Sequence, residues 1–322
     1  ILRQKLASVK AGINPIQAPS QADLQKLIDH YRNGRYADAE RLALSITKQF
    51  PDHPSSYNVL GGVYRQTGRP SELVIVSKKV VALAPEDAEA HSNLGLSLKE
   101  LGRFEEAALN YERALELKPD LVEGYTGLGN VLTELGRLTE AEDSYKRATA
   151  LKPDFAEAYS NLGNTQRELD KLEEAEANCK KAITLKPDFA EAYNNLGITL
   201  QQLGKLEEAE ICCRKAIVLK PDLTTAYLNM GVILMGKGHL GAAINNFIEA
   251  LKIKPDNPDA YANLAIALSG TVFIETNPDI REIITSILDH KTYVRPRDIS
   301  TAAISLLKSE PVIKTVSNMH SA

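Results

Sequence analysis

The sequence predicts an all-α solenoid, a row of stacked helical hairpins built from one repeated unit. Three observations carry this reading. Proline recurs every 34 residues, at Pro51, Pro85, Pro119, Pro153, Pro187, Pro221 and Pro255. With that proline set as position 32, Gly61, Gly95, Gly129, Gly163, Gly197 and Gly231 fall at position 8, and Ala107, Ala141, Ala175, Ala209 and Ala243 at position 20. Two segments in each unit place apolar residues at helical spacing. A period of this length belongs to arrays in which no single unit buries its apolar face alone.

The stretch Val122–Phe155 shows the plan. Tyr125, Leu128, Gly129, Leu132 and Leu135 mark helix A, Gly136-Arg137 the turn, and Leu138, Ala141, Tyr145 and Ala148 the stripe of helix B. A mid-helix glycine costs about 1 kcal/mol relative to alanine. Its recurrence at position 8 predicts a close approach of the two helices, with the position-20 alanine on the matching side. Asp120-Leu-Val-Glu123, Asp154-Phe-Ala-Glu157 and Asp188-Phe-Ala-Glu191 have capping-box spacing and predict Asp as N-cap. Glu105-Glu106, Glu173-Glu174 and Glu207-Glu208 open helix B, where the dipole favours acids. Lys118, Lys152, Lys186, Lys220 and Lys254 stand at its far end.

Taken in order, residues 1–19 read as a linker or leading helix, 20–270 as the repeat array, and 271–322 as a helical cap and tail. The first repeat is degenerate: Leu27 stands where glycine is expected, and Ser20-x-x-Asp23 is positioned to start its helix A. Repeat two has Leu73 in place of the small residue and the β-branched run Val74-Ile75-Val76, which predicts a distorted helix B. Repeats three to six are regular. Repeat seven carries Met230, Met235, Gly236 and Gly238 and is expected to be looser. An eighth helix A follows at 258–269. Beyond it, Ile280, Ile283, Ile284, Ile287 and Leu288 predict a capping helix, and Asp298 to Lys308 another.

The composition narrows the function. The 322 residues carry a formal net charge of −4. Without a basic run, the chain is not expected to bind nucleic acid or an anionic membrane, and no apolar run is long enough to span a bilayer. Cys179, Cys212 and Cys213 lack metal or redox spacing and read as core residues of a reducing, cytoplasmic setting. Nucleotide-binding, zinc-protease and serine-hydrolase motifs are missing, and the six histidines are scattered. The chain alone is therefore read as non-enzymatic, with no cofactor or metal.

The aromatic at position 4 (Tyr57, Tyr125, Tyr159, Tyr193, Tyr227, Tyr261), Leu at 7, Gly at 8, Ala at 20 and 27, and Pro at 32 resemble the tetratricopeptide repeat (TPR) family. The resemblance implies a right-handed superhelix of antiparallel helix pairs, with helix A lining a concave face. Position 6 reads Val59, Asn93, Gly127, Asn161, Asn195, Asn229 and Asn263. An amide ladder offers a donor and an acceptor at each step, which suits a peptide backbone. The alternative is that these amides bond one repeat to the next. The ladder resembles the TPR superhelix of O-linked N-acetylglucosamine transferases, which implies that position-6 asparagines hold an extended polypeptide. Asn130 and Asn164 at position 9, and Lys99 and Arg167 at position 12, are the further groove candidates. Position 5 has no lysine, unlike the carboxylate clamp of chaperone-binding members. The reading is a protein-interaction scaffold that binds an extended peptide. Two alternatives stand beside it. Apolar residues retained to the end (Leu306, Leu307, Val312, Ile313, Val316) and the opening Ile1 fit the docking arm of a larger transferase. A self-associating solenoid, through an end or the C-terminal tail, is the other.

Overall fold

The structure, a computed structural model, describes residues 18–269, 285 and 302–305. The chain divides into two compact units, Ile1–Pro153 and Asp154–Ala322. The first holds α1 (Gln21–Arg32), α2 (Tyr36–Gln49), α3 (Pro54–Gln66), α4 (Pro70–Leu83), α5 (Ala88–Glu100), α6 (Phe104–Leu117), α7 (Val122–Glu134) and α8 (Leu138–Leu151). The second holds α9 (Ala156–Glu168), α10 (Leu172–Leu185), α11 (Ala190–Gln202), α12 (Leu206–Leu219), α13 (Thr224–Gly236), α14 (Leu240–Ile253) and α15 (Pro258–Leu268). Odd-numbered helices are the A helices and even-numbered ones the B helices. Within each unit they pack as consecutive hairpins, each hairpin on the next.

The turn inside each hairpin has one geometry. The amide of Gly136 donates to Thr133 O and that of Arg137 to Leu132 O, the two bonds of a Schellman cap. This cap needs a left-handed residue, and Gly136 supplies it at φ +71°. Asp170 takes the same place in its repeat at φ +60°, the one non-glycine residue with positive φ among the described residues. The glutamates after each turn lie in the first turn of α6, α10 and α12, as expected. Lys118, Lys152, Lys186, Lys220 and Lys254 are the C-caps of their helices.

The close approach at position 8 is present, and in repeats three to seven its nearest partner is position 24. A Cβ on Gly95 would meet Tyr111 at 3.0 Å, on Gly129 Tyr145 at 2.7 Å, and on Gly231 Phe247 at 2.3 Å. In the cysteine repeats the opposing backbone itself is among the nearest atoms. A Cβ on Gly163 would meet Cys179 Sγ at 2.6 Å and the Ala175 carbonyl at 3.1 Å. The position-20 alanines are fully buried at this contact, and the carbonyls of Ala175 and Ala209 form part of it, as expected. Repeat one exchanges the sizes, with Leu27 against a core that includes Ala43, both fully buried. Repeat seven is as tight here as its neighbours, contrary to the expectation from its methionines and glycines.

Two further expectations are corrected. Helix α4 is a regular fourteen-residue helix, not a distorted one. Leu73, Val74, Val76 and Val80 are all buried, and each buried side chain contributes about 1.5–3 kcal/mol. That outweighs a β-branched propensity penalty of a few tenths of a kcal/mol per residue. The capping-box aspartates also do not cap. The N-caps of α7, α9 and α11 are Leu121, Phe155 and Phe189, with no side-chain cap bond. At position 34, Asp87 and Asn257 do cap: Asp87 accepts from the amides of Glu89 and Ala90, and Asn257 from that of Ala260, whereas His53 makes no side-chain cap bond. In repeats three to six an apolar residue takes that place and packs instead, as Leu121 does beside Ala88 and Ala114. Ser20 caps α1 as predicted.

Residues 1–17 of the predicted leading segment lie outside the described residues, and so does most of the predicted cap and tail. Of that region, residues 302–305 are helical, and Ala302 is buried in the core of the second unit.

Candidate functional site

The A helices of the second unit place three rows of side chains on one face. Positions 2, 6 and 9 are spaced i, i+4, i+7, so they share a face and climb the helix by about 6 and then about 4.5 Å. Position 2 contributes Glu157, Glu191, Thr225 and Asp259, position 6 Asn161, Asn195, Asn229 and Asn263, and position 9 Asn164, Ile198 and Val232. All of these except Glu157 line one groove of about 600 Å³. An adjoining groove of about 720 Å³ includes Asp154, Phe155, Glu157, Asn161, Lys186, Phe189, Glu191 and Asn195.

The amides also tie repeats together. Asn195 Nδ2 donates to Ser160 Oγ at 3.1 Å, and Asn229 Nδ2 to Asn194 Oδ1 at 2.8 Å. Position 6 of one repeat thus bonds position 5 of the repeat before it. Both readings of the ladder have a physical basis here. One N–H of Asn195 and of Asn229 holds the stack, while the side chains stay half-buried at the groove wall.

The remaining candidates are placed differently. Asn164 and Arg167 belong to a polar cluster: Arg167 donates to Asn164 Oδ1 at 3.0 Å and pairs with Glu168 at 3.2 Å, and Asn164 Nδ2 donates to the same carboxylate at 3.1 Å. The Arg167 side chain is only 16% exposed, so it is no ordinary solvated residue. In the first unit, Asn130 Oδ1 accepts the Tyr145 hydroxyl at 2.7 Å. Asn93 is exposed and lines a small groove of about 150 Å³ with Tyr57, Asn58, Arg65 and Ser77. Lys99 is half-buried and lies outside the linings of these grooves.

The gap in the ladder has a steric cause. A Cβ on Gly127 would lie 2.4 Å from the Tyr111 ring, so the ring fills the space an asparagine needs. The acidic row at position 2 and the aliphatic pair at position 9 were missed as groove features. Reading the 34-residue period at those positions, as was done at position 6, reveals both.

The cysteines are core residues. Cys179 and Cys213 are fully buried and Cys212 half-buried. Burial pushes the Cys179 and Cys213 thiols up to about 12 and that of Cys212 up to about 11. Among the described residues no group of His, Cys, Asp and Glu has the arrangement of a metal site. Among them, too, no helix is long and apolar enough to cross a membrane.

Family models described as TPR repeat match residues 95–136, 129–170 and 233–270. Models described as tetratricopeptide repeat match 156–189, 190–223 and 24–72. No curated protein matches the chain. Among solved structures it is similar to the APC/C hetero-tetramer Cut9–Hcn1, with a TM-score of 0.64 and 19% identity over 78% of this chain and 49% of that one. It is also similar to a tetratricopeptide repeat protein from Parabacteroides merdae, with a TM-score of 0.64 and 18% identity over 77% of this chain and 98% of that one. PilF of Pseudomonas aeruginosa matches with a TM-score of 0.55 and 18% identity over 64% of this chain and 94% of that one. At these identities the likeness is one of fold, and the chain spans about half the length of the Cut9–Hcn1 chain it matches. The family models together cover more than half of the sequence. The chain belongs to the tetratricopeptide repeat family.

Proposed function

We propose that this tetratricopeptide repeat chain is a protein-interaction scaffold whose second unit holds an extended peptide segment across its A helices. The family supports the coarse reading, a non-catalytic interaction scaffold. The peptide reading rests on one observation: Asn161, Asn195, Asn229 and Asn263 line a single groove in register. Amides at a constant interval match the repeating N–H and C=O groups of an extended backbone, whatever its side chains.

The test is selection of binders from a displayed peptide library with the whole chain, followed by the Asn161→Ala, Asn195→Ala, Asn229→Ala triple variant. Two of these amides also bond the preceding repeat. Helical content by circular dichroism must therefore be retained before binding is compared. Loss of the selected peptides by the folded triple variant is the expected result. Unchanged binding would remove the groove from consideration.

A further inference from the structure

The groove is unlike on its two sides, and this constrains its occupant. On one side, toward the N-termini of α9, α11 and α15, stand the carboxylates Glu157, Glu191 and Asp259. Asp154 adds a fourth in the adjoining groove, where Lys186 is the single cation in the lining. Lys186 leans over the Phe189 ring, its Nζ 5.1 Å from the centroid. Glu191 is engaged by Lys220 at 2.7 Å, while Glu157 and Asp259 are exposed. On the other side are the aliphatic side chains of Ile198 and Val232, both half-buried. The amide row runs between the two.

An extended chain points successive side chains to opposite sides. With its backbone on the amide row, alternate residues meet the carboxylates and the aliphatic pair. We infer that the occupant is an extended segment in which lysine or arginine alternates with β-branched aliphatic residues. The inference rests on the peptide-groove reading above and adds side-chain chemistry to it. The acidic row raises the local concentration of basic segments and disfavours acidic ones, and Ile198 with Val232 removes a valine or isoleucine side chain from water.

The test uses the whole chain and three labelled octapeptides: alternating Lys-Val, Glu-Val and Lys-Ser. Binding is read by fluorescence anisotropy at low and physiological salt. Lys-Val is expected to bind, and Glu-Val and Lys-Ser to bind at least about tenfold more weakly. The triple variant Glu157→Gln, Glu191→Gln, Asp259→Asn is expected to lose about tenfold for Lys-Val, from three solvent-screened pairs. Asn257, not Asp259, caps α15, so this variant keeps the cap. Equal binding of Lys-Val and Glu-Val, or an unchanged charge variant, overturns the inference. If binding ignores the charge variant but is lost in the asparagine triple variant, the groove reading survives and the side-chain chemistry falls. If it ignores both variants, both readings fall. If none of the three peptides binds, the basic-aliphatic occupant is excluded, and the groove reading stands on the library selection alone.

Discussion

Position 8 shows how one residue type can serve two energetic roles in one chain. Gly163 has no room for a methyl group, because Cys179 Sγ would lie 2.6 Å away and the Ala175 carbonyl, which is backbone, 3.1 Å away. Gly61 faces Leu73 Cδ1 at 3.5 Å, an ordinary contact. Gly163→Ala is therefore expected to destabilise the protein by about 1–3 kcal/mol through overpacking. Gly61→Ala is expected to stabilise it by up to about 1 kcal/mol, by regaining helix propensity without a clash. Chemical denaturation of both variants checks the pair. A loss of stability in Gly61→Ala would show that repeat two is as tightly closed as the others. Position 4 shows a conserved bond made by different chemistry. The hydroxyls of Tyr57 and Tyr261 donate to the carbonyls of Pro51 and Pro255. His91 places Nε2 3.0 Å from the carbonyl of Pro85 in the same role.

Helix starts differ in what position 34 supplies. Asp87 accepts two amides of α5, whereas the aspartate of the Pro-Asp-Phe repeats stands one residue too early to do so. Asp87→Ala is expected to cost about 1 kcal/mol. Asp188→Ala is expected to stay within about 0.5 kcal/mol of the parent. Thermal melts followed by circular dichroism separate the two, and equal effects would mean that Asp188 supports α11 in some other way. The period, the helix pairs, the turns and the asparagine register could all be read from the sequence, because repetition multiplies a weak local signal. The cap register could not. Capping-box spacing at Asp154 and Asp188 is satisfied in sequence, yet Phe155 and Phe189 take the cap position, so burial decided where the helix begins. The regularity of α4 was hidden for a similar reason, since the valines that lower its intrinsic propensity are residues it buries. The repeat-to-repeat bonds of Asn195 and Asn229 depend on Ser160 and Asn194, which lie 35 residues away.

At the scale of the molecule, stability in an array of this kind is close to a sum of repeats and nearest-neighbour interfaces. Part of the interface is electrostatic, and in three repeats it uses a glutamate at position 21. In the first unit Glu40 pairs with Arg69 of the following repeat at 2.8 Å. In the second, Glu176 pairs with Lys205 at 2.7 Å and Glu210 with Lys237 at 2.8 Å. Lys180 and then Lys205 hold the Glu176 carboxyl below the usual range, and Lys237 with Arg214 does the same for Glu210. A carboxylate whose folded pKa is depressed binds fewer protons folded than unfolded. Its contribution is complete above the unfolded glutamate value of about 4.3 and is lost as the pH falls through the lower folded value. Stability is therefore expected to fall from about pH 5 downward, and more steeply at low salt than at high salt. The double variant Glu176→Gln, Glu210→Gln is expected to be less stable at pH 7, by a few tenths to about 1 kcal/mol per pair. Its stability should also vary less with pH over the acid limb. Urea titrations at intervals from pH 7 to pH 3 measure both effects. Equal acid slopes for the two proteins would place the acid sensitivity in other carboxylates, and equal stability at pH 7 would show that these inter-repeat pairs only match the hydration they replace.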